Sequence, residues 1–357
     1  MPAPSNVRGR AYPRILSDLR IVFRVTAPDA REVQVAPRGG DSGLGAAPYP
    51  MTRGDDGVWS VTTPPVRPGF HYYEVVVNGF RCPDPNSETY FGWAQQTSGL
   101  EVPDPKLDFY AARPVPHGEV RAVWYHSKVT GQPRRAYVYT PPGYDESKSR
   151  YPVLYLQHGA GESERGWSSQ GRAGFIMDNL LAAKQTMPML IVMDNGYADI
   201  PNTPPGGMIR EGGGTFGRVV LEDLIPLIDR EFRTRADADH RAIAGLSMGA
   251  GQATAIGLAN LDKFRWIGSF SGVMRNSLLA QGGPLADAEA ANKKLRLLWI
   301  GCGTGDRLYP ANERSHTELE HAGIKHTWFT VEGTHEWQVW RKCLRSFAPL
   351  LFRPASG

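Results

Sequence analysis

Cysteine is scarce in this chain, which limits the class of protein it can be. Only three cysteines occur among 357 residues, at Cys82, Cys302 and Cys343. A small disulfide-stapled domain needs a denser framework, and this spacing is too wide for a structural zinc site. At most one bridge is possible. Whether Cys302 and Cys343 pair stays open, and three buried thiols are the simpler expectation.

Long apolar runs and blocks of like charge are also missing. No stretch approaches the roughly 18 apolar residues that a membrane helix needs. The 40 Lys and Arg against 36 Asp and Glu leave a net charge of +4 without charge runs, so neither membrane nor nucleic-acid binding is indicated. The first residues lack the apolar core of a signal peptide. Either the protein is cytoplasmic or a leader has been removed, and we expect a secreted or periplasmic protein.

The composition that is present is that of a globular protein, with 41% hydrophobic and 21% charged residues and a length typical of about two domains. Short alternating runs separated by Gly, Pro and Asp turns begin at Leu19. They predict a β-sandwich over residues 15–100, preceded by a loose arm. The proline-rich residues 101–118 are expected to form a stiff linker. The strand-like runs cover residues 20–25, 32–36, 57–62 and 70–77.

This segment resembles a family 48 carbohydrate-binding module, which has an immunoglobulin-like fold. The resemblance implies either α-glucan binding or a scaffolding role between domains, and both stay open. Trp59 and Tyr73 could stack on sugars, although large rings in a small sandwich more often fill the core. The resemblance rests on Ala27–Ala30, Gly57–Ser60, Pro68–Tyr73, Val77–Gly79 and Asp84–Asn86.

The pattern changes after residue 118. A hairpin over 119–125 and 135–140 is followed by apolar runs that alternate with helical stretches. This alternation predicts a doubly wound, mainly parallel α/β sheet over residues 119–353, with its site beyond the carboxyl ends of the strands. Strands are predicted at 151–157, 189–193, 241–244, 266–270, 295–300 and 326–331, and helices at 172–184, 217–232, 248–260, 311–322 and 336–349.

The segment Gly245–Gly249 fits the G-x-S-x-G pattern of a nucleophile elbow. A buried strand must turn there into a helix of small residues, which pushes the hydroxyl of Ser247 out of the sheet. The first amide of that helix, Met248 N–H, would face a developing oxyanion. A plain Gly-Ser turn is the alternative, but the strand–turn–helix context favours a catalytic serine.

Two further strand ends supply partners for this serine in the order Ser, Asp, His. His335 directly follows the strand ending at residue 331 and is the expected base. Asp306 follows the strand 295–300 in a glycine-rich turn and is the expected acid. Gly159 and Ala160 lie in a loop after an early strand and are expected to offer the second oxyanion amide.

The region from about residue 118 to 350 resembles carbohydrate esterase family 1, which contains feruloyl and acetyl xylan esterases. The resemblance implies an α/β-hydrolase with Ser247 as nucleophile, His335 as base and Asp306 as acid. It also implies an oxyanion hole at residues 158–160 with Met248, and no cofactor. The motifs that carry it are Gln157–Trp167, Asp194–Tyr197, His240–Gly249, Leu261–Phe264, Gly301–Asp306 and Thr334–Arg341.

The expected reaction is two-step acyl transfer that releases feruloyl groups from plant cell-wall polysaccharide. An acetyl xylan esterase, an enterochelin- or thioester-type esterase, and an inactive glycan-binding scaffold remain alternatives. The expected partner is a feruloylated or acetylated xylan-type glycan. The loop 198–215 is expected to border the acyl pocket, and the oligomeric state stays open. Residues expected at the substrate are His158, Trp167, Tyr197, Phe216 and Trp337.

A metal site is not expected. Asp194, Glu222 and Asp223 could suggest a cation site, but acidic residues near a helix start more often complement the helix dipole.

Overall fold

The computed structural model describes residues 1–39, 43–104, 107–200 and 213–353. The chain divides into two compact units. The first comprises Met1–Asp108 with Glu336–Gln338, and the second comprises Phe109–His335 with Val339–Gly357. Within the described ranges, no helix combines the length and apolarity needed to cross a bilayer.

The first unit is built from antiparallel sheets. Its strands are β1 (Arg14–Ile15), β2 (Ile21–Thr26), β3 (Val33–Arg38), β4 (Tyr49–Pro50), β5 (Thr52–Arg53), β6 (Val58–Thr62), β7 (Gly69–Val77), β8 (Phe80–Cys82), β9 (Thr89–Gly92) and β10 (Gln95–Val102). One sheet has the order β1-β2-β6-β5, and the other has the order β4-β3-β7-β10-β9 with β8 paired to β7. The β-sandwich expected from the alternating pattern is thus present.

Large aromatic side chains fill the core of the first unit. Trp59 and Tyr73 are buried in one cluster with Phe23, and the Phe23 and Tyr73 ring centroids lie 5.0 Å apart. The Tyr73 hydroxyl donates to Asp84 Oδ2 at 2.8 Å, and burial raises the pKa of that carboxyl. The expectation that Trp59 and Tyr73 are core residues is therefore confirmed.

The residues before the sandwich do not form a loose arm, contrary to expectation. Ala3 and Ser5 are buried. Ala3 N–H donates to the Pro13 carbonyl at 2.9 Å, and Ser5 Oγ accepts from Glu101 N–H at 3.0 Å. Arg14 and Ile15 pair with β2. The local sequence of this proline-rich segment does not predict hydrogen bonds to residues that are distant in the chain.

The predicted linker 101–118 is also largely ordered within the two units. Strand β10 runs to Val102, and the stretch from Phe109 packs into the second unit. Asn179 Nδ2 donates to the carbonyls of Phe109 and Ala111, both at 2.9 Å. The Arg341 guanidinium lies 4.4 Å from the centre of the Tyr110 ring. Side-chain anchoring of this kind overrides the tendency of a proline-rich stretch to act as a spacer.

The second unit contains one large sheet in the described residues. Its strands are β11 (Glu119–His126), β12 (Pro133–Thr140), β13 (Val153–Gln157), β14 (Leu190–Asp194), β15 (Arg241–Leu246), β16 (Trp266–Phe270), β17 (Leu297–Gly303) and β18 (Thr327–Val331). Their order is β11-β12-β14-β13-β15-β16-β17-β18. All pairs from β14 to β18 are parallel, whereas β11 and β12 form an antiparallel edge hairpin.

Helices flank this sheet. They are α1 (Ala173–Ala182), α2 (Gly214–Arg218), α3 (Ile225–Glu231), α4 (Met248–Ala259), α5 (Ala288–Lys294), α6 (Tyr309–His321) and α7 (Trp337–Phe347), with a π-helical turn over Val219–Leu224 joining α2 to α3. Helix α5 was not expected, because its seven residues include no large apolar side chain. The mainly parallel α/β sheet is confirmed, and its topological switch falls at β13, between β14 and β15.

All three cysteines are free thiols. Cys302 and Cys343 are buried. Burial, reinforced by the Asp306 charge, raises the pKa of Cys302 to about 12, so this thiol stays protonated and unreactive at neutral pH.

Candidate active site

The turn between β15 and α4 has the geometry of a nucleophile elbow. Ser247 has φ 51° and ψ −115°, a left-handed backbone that non-glycine residues rarely adopt. Its N–H donates to the Phe270 carbonyl at 2.9 Å, and its own carbonyl accepts from Ala250 N–H at 3.1 Å. These bonds on both sides hold the strained serine in place.

The two motif glycines are required by close backbone approach. A Cβ on Gly245 would lie 2.5 Å from the Gly249 carbonyl group, and a Cβ on Gly249 would lie 2.8 Å from Gln157 Cβ and closer still to the His158 carbonyl oxygen. No side chain fits at either position. The end of β15, the start of α4 and the loop after β13 therefore pack backbone against backbone.

Three predicted residues meet at this edge of the sheet. His335 Nε2 lies 2.9 Å from Ser247 Oγ, and His335 Nδ1 lies 2.8 Å from Asp306 Oδ2. Since a carboxylate only accepts, Nδ1 carries the proton and Nε2 is left to accept from the serine hydroxyl. Ser247 follows β15, Asp306 follows β17 and His335 follows β18, so three strand ends converge on one hydrogen-bonded chain.

The carboxyl of Asp306 is held in its charged form. Burial by itself would raise its pKa, but the hydrogen bond and charge of His335 and the N–H of Leu308, 2.8 Å from Oδ1, outweigh burial and leave the pKa below its ordinary value. Trp340 packs edge-on against the His335 ring, with centroids 5.1 Å apart. The imidazole is thus oriented on two sides.

The predicted oxyanion loop lies directly against the elbow. A Cβ on Gly159 would lie 2.5 Å from Leu246 Cδ1 and 3.4 Å from Ser247 Cβ. Ala160 follows in the same loop. Met248 is the first residue of α4, and the N–H groups in the first turn of a helix have no partner within the helix.

His158 was expected at the substrate, but the structure gives it a supporting position. It is buried. Its Nδ1 donates to the Gly159 carbonyl at 2.8 Å, and its Nε2 accepts from Gly196 N–H at 2.9 Å. Burial lowers the pKa of His158 below its ordinary 6.5, so the ring is a neutral brace between two loops.

Three of the four predicted aromatic walls are core residues instead. Trp167 is buried, packs against Phe270 with ring centroids 6.0 Å apart, and donates its indole N–H to the Gln157 carbonyl at 2.9 Å. Phe216 belongs to the main core cluster. Trp337 is buried and donates its indole N–H to the Tyr72 hydroxyl at 3.1 Å. Large rings next to catalytic motifs gain more by burial than by lining an open site.

Tyr197 alone among the predicted walls is exposed, at 37%. Its hydroxyl accepts from Gly161 N–H at 2.7 Å, which ties it to the oxyanion loop. The predicted acyl-pocket loop 198–215 lies mostly outside the described residues.

The acidic residues weighed as a cation site have separate partners. Asp194 is buried and pairs with Arg134 at 3.1 Å, Glu222 pairs with Arg218 at 2.8 Å, and Asp223 Oδ2 accepts from Ser127 Oγ at 2.6 Å. The helix-dipole explanation is wrong for Asp194, which ends a strand. Across the part of the chain that is described, no three His, Cys, Asp or Glu side chains cluster as metal ligands would.

An open cleft, missed by the sequence analysis, lies at the edge hairpin. We call it the hairpin cleft; its volume is about 280 Å³ and it is lined by Trp124, Pro133, Arg134, Arg135, Glu164, Asn195 and Tyr197. The one available signal was the alternation of β11, which places Trp124 on its exposed face. No local sequence pattern predicts that β11 lies close to residues 164 and 195.

Arg134 organises the floor of the hairpin cleft. Its NH2 group contacts Asp194 Oδ2 at 3.1 Å and the Asn195 carbonyl, and its NH1 donates to the Tyr197 carbonyl at 2.9 Å. The Tyr125 hydroxyl donates to the same carboxylate oxygen at 2.7 Å. This network fixes the loop that follows β14.

The model of the Esterase family matches residues 127–349, more than half of the chain, and this range includes Ser247, Asp306 and His335. The chain belongs to the Esterase family. It is 38% identical over 361 residues to a protein of Xylanibacter ruminicola named endo-1,4-beta-xylanase/feruloyl esterase; the alignment covers 99% of this chain and 47% of that protein. It is 34% identical over 133 residues to an esterase of Mycobacterium tuberculosis, covering 36% of this chain and 27% of the relative. The chain thus spans about half or less of the length of these curated relatives.

Solved structures place the chain in the α/β-hydrolase class. A ferulic acid esterase is 26% identical with a TM-score of 0.57, covering 65% of this chain and 96% of that one. A ferulic acid esterase from Anaeromyces mucronatus is 24% identical with a TM-score of 0.59, covering 69% and 96%. The enterobactin esterase of Shigella flexneri is 19% identical with a TM-score of 0.67, covering 92% of each chain. The last two likenesses establish the fold.

Proposed function

We propose that this protein is a serine carboxylic-ester hydrolase that releases feruloyl, or related hydroxycinnamoyl, groups from plant cell-wall polysaccharide through an acyl-enzyme. The observation that carries the proposal is the hydrogen-bonded chain Ser247–His335–Asp306, with distances of 2.9 and 2.8 Å, at a strained elbow. A serine hydroxyl is a poor nucleophile until a positioned base takes its proton, and this chain supplies that base.

The geometry supports the following sequence of steps. Ser247 Oγ attacks the ester carbonyl carbon while His335 Nε2 takes the hydroxyl proton, and Asp306 stabilises the resulting imidazolium. The tetrahedral intermediate collapses as His335 returns the proton to the departing sugar alcohol, leaving the acyl group on Ser247. Water, deprotonated by His335, then attacks the acyl-enzyme; His335 returns this proton to Ser247 Oγ as the acyl–oxygen bond breaks, and the carboxylic acid is released.

The oxyanion would be held by backbone amides. We assign this role to Met248 N–H, together with Gly159 or Ala160 N–H in the adjacent loop. The contact of Gly159 with the elbow and the brace from His158 support the assignment, because an oxyanion hole must be rigid before the reaction starts. Loss of one such donor costs about 3 kcal/mol of transition-state stabilisation.

The feruloyl group is proposed from the relatives. The Xylanibacter ruminicola protein carries two activities in its name, and this chain aligns with just under half of it. Since the aligned chain contains the Esterase family region and the serine site, the feruloyl esterase activity is the one that we transfer. A xylan-type polysaccharide is the corresponding substrate. Such a polymer does not cross membranes, so we also propose export from the cell.

An enterobactin-type activity is the second candidate. The Shigella flexneri enterobactin esterase overlaps 92% of this chain, which includes the N-terminal sandwich, whereas the ferulic acid esterase overlaps 65%. A β-sandwich before the hydrolase therefore does not by itself favour a polysaccharide substrate, and glycan binding by this unit remains a proposal. An acetyl xylan esterase is the third candidate and needs a shorter acyl pocket.

A side-by-side rate assay separates these candidates. Methyl ferulate, an acetylated xylan oligomer and enterobactin would be offered to the purified protein, with the Ser247→Ala variant as the blank. We expect rapid ferulate release and slow or no turnover of the other two. Acetate release alone would replace the feruloyl assignment with an acetyl one, and preferential enterobactin cleavage would replace the polysaccharide substrate.

A further inference from the structure

The hairpin cleft lies at the same edge of the sheet as Ser247. Strand β12 is antiparallel to β14, so its first residues sit at the carboxyl end of β14, and the end of β11 pairs with them. Strands β12 and β15 are three spacings apart in the sheet order, which corresponds to about 14 Å. An oligosaccharide held at Ser247 through its ester can reach this cleft, whereas the methyl group of a methyl ester cannot.

An exposed aromatic ring forms one wall of the hairpin cleft. Trp124 is 66% exposed, a high value for the largest apolar side chain. The guanidinium of Arg135, directly across the strand pair, lies 5.1 Å from the centre of the Trp124 ring. Arg135 also lies 5.2 Å from the centre of the Tyr137 ring. This stacking orients the side chains of Arg135 and Trp124. The exposed indole ring of Trp124 is amphipathic and suits the apolar face of a sugar.

The polar groups of the hairpin cleft are fixed before any ligand arrives. Glu164 is buried, pairs with Arg135 at 2.5 Å and accepts from Asn195 Nδ2 at 3.1 Å. Asn195 Oδ1 in turn accepts from Tyr197 N–H at 3.0 Å. A few rigid donors and acceptors beside an aromatic surface are what orients a small polar ligand.

The two arginines that line the hairpin cleft are each paired with a carboxylate. Arg134 pairs with Asp194 at 3.1 Å, and Arg135 pairs with Glu164. In these two pairs each arginine faces a carboxylate, so neither cation is left unpaired to attract an acidic group. This balance favours a neutral glycosyl residue over a uronic acid or a phosphate.

The hairpin cleft is also connected to the candidate catalytic residues. Tyr197 lines the cleft, and its hydroxyl accepts from Gly161 N–H at 2.7 Å, next to Gly159 and Ala160. A ligand against Tyr197 would therefore lie next to the loop that contains Gly159 and Ala160.

We propose that the hairpin cleft is a subsite for a neutral sugar of the oligosaccharide that carries the ester, with Trp124 as its stacking surface. This inference rests on the proposed function for the identity of the esterified chain. At about 280 Å³ the cleft is slightly smaller than most drug-sized sites of roughly 300–1,000 Å³, so it suits a short glycan segment.

The test compares Trp124→Ala with Val120→Ala. Val120 is an exposed residue of the same strand. It lies four positions, or about 13 Å, from Trp124, near the opposite end of β11. The readout is the ratio of kcat/KM for a feruloylated arabinoxylan oligosaccharide to kcat/KM for methyl ferulate. We expect Trp124→Ala to lower this ratio about tenfold, Trp124→Phe to restore most of it, and Val120→Ala to leave it unchanged.

A binding measurement in the Ser247→Ala background separates the subsite from the chemistry. Calorimetry would measure the affinity of an unesterified arabinoxylan oligosaccharide, which should fall about tenfold with Trp124→Ala and not with Val120→Ala. Equal affinity in both variants, or tighter binding of a glucuronic-acid-substituted oligosaccharide, would overturn the neutral-sugar subsite. Absence of ferulate release by the wild-type protein would overturn the proposed function instead, since this binding does not depend on hydrolysis.

Discussion

At the elbow, backbone packs on backbone, and Gly245 and Gly249 leave no room for a methyl group. At the hairpin cleft, a few strands away along the same edge, the surface consists of long side chains, and Trp124 stands in solvent. In the functions proposed above, the first arrangement fixes atoms that must not move during a reaction, and the second offers a surface for a ligand. Changes at the elbow should therefore act on turnover, whereas changes at the hairpin cleft should act on substrate choice.

Removal of the serine hydroxyl should produce the largest effect. Ser247→Ala is expected to lower kcat on methyl ferulate by about 10⁶-fold, because triad members act as a unit and the loss of the nucleophile removes nearly all their contribution. Circular dichroism should show an unchanged fold. Turnover within tenfold of the wild type in a folded variant would contradict the assignment of Ser247.

Asp306→Asn should have the next largest effect. The amide that replaces the carboxylate no longer stabilises an imidazolium and favours the wrong tautomer of His335, so kcat should fall by about 10⁴-fold. The comparison variant is Asp194→Asn, whose carboxylate pairs with Arg134 rather than with the histidine. If Asp306→Asn reduced kcat no more than Asp194→Asn does, Asp306 would be a structural carboxylate.

Gly249→Ala tests the close packing at the elbow. The added methyl group would meet the His158 carbonyl and Gln157 Cβ, which should destabilise the protein by about 1–3 kcal/mol. Displacement of the oxyanion loop should also lower kcat/KM by about 100-fold. Gly174→Ala is the matched control, because its methyl group would meet only Tyr139, at ordinary contact distances of 3.7 and 3.9 Å. Equal kinetics in the two variants would mean that the elbow tolerates expansion.

The smallest effect concerns the His158 brace. Burial lowers the pKa of this histidine below 6.5, so the unfolded chain binds its proton at a higher pH than the folded chain does. The free energy of unfolding should then decrease as pH falls below about 6.5, by at most about 1.4 kcal/mol per pH unit. His158→Gln removes this titration. Urea denaturation at pH 7.5 and at pH 5.5 would give the free energy of unfolding of the wild type and of the variant. The stability of the wild type relative to the variant should be lower at pH 5.5. The same relative stability at both pH values would contradict a neutral, buried His158.

The contrast between the two regions also explains which features were predictable. Ser247, Asp306 and His335 each stand at the end of an apolar strand, in a local pattern that determines where the chain turns. The parallel sheet brings such ends together whatever the intervening sequence is. Strand 266–270 matches its predicted bounds, and the elbow strand runs two residues further than predicted, to Leu246.

The remaining features depend on contacts that no local pattern encodes. Trp167 and Trp337 are aromatic residues beside catalytic motifs, yet both are buried because core packing had room for them. The hairpin cleft brings together residues from β11, β12 and the two loops near residues 164 and 195. The N-terminal arm is ordered by a hydrogen bond between Ser5 and Glu101, 96 positions apart. Such assemblies follow from the packed fold rather than from periodicity or spacing.

The left-handed backbone of Ser247 has a consequence for the evolution of this chain. Glycine adopts such a conformation at no steric cost, so the residue that would strain the backbone least at this position differs from the serine that the proposed reaction needs. Selection for thermostability alone would favour Ser247→Gly, which removes the hydroxyl. Directed evolution of a more thermostable variant must therefore measure turnover in every round, because stability and the proposed activity favour different residues at position 247.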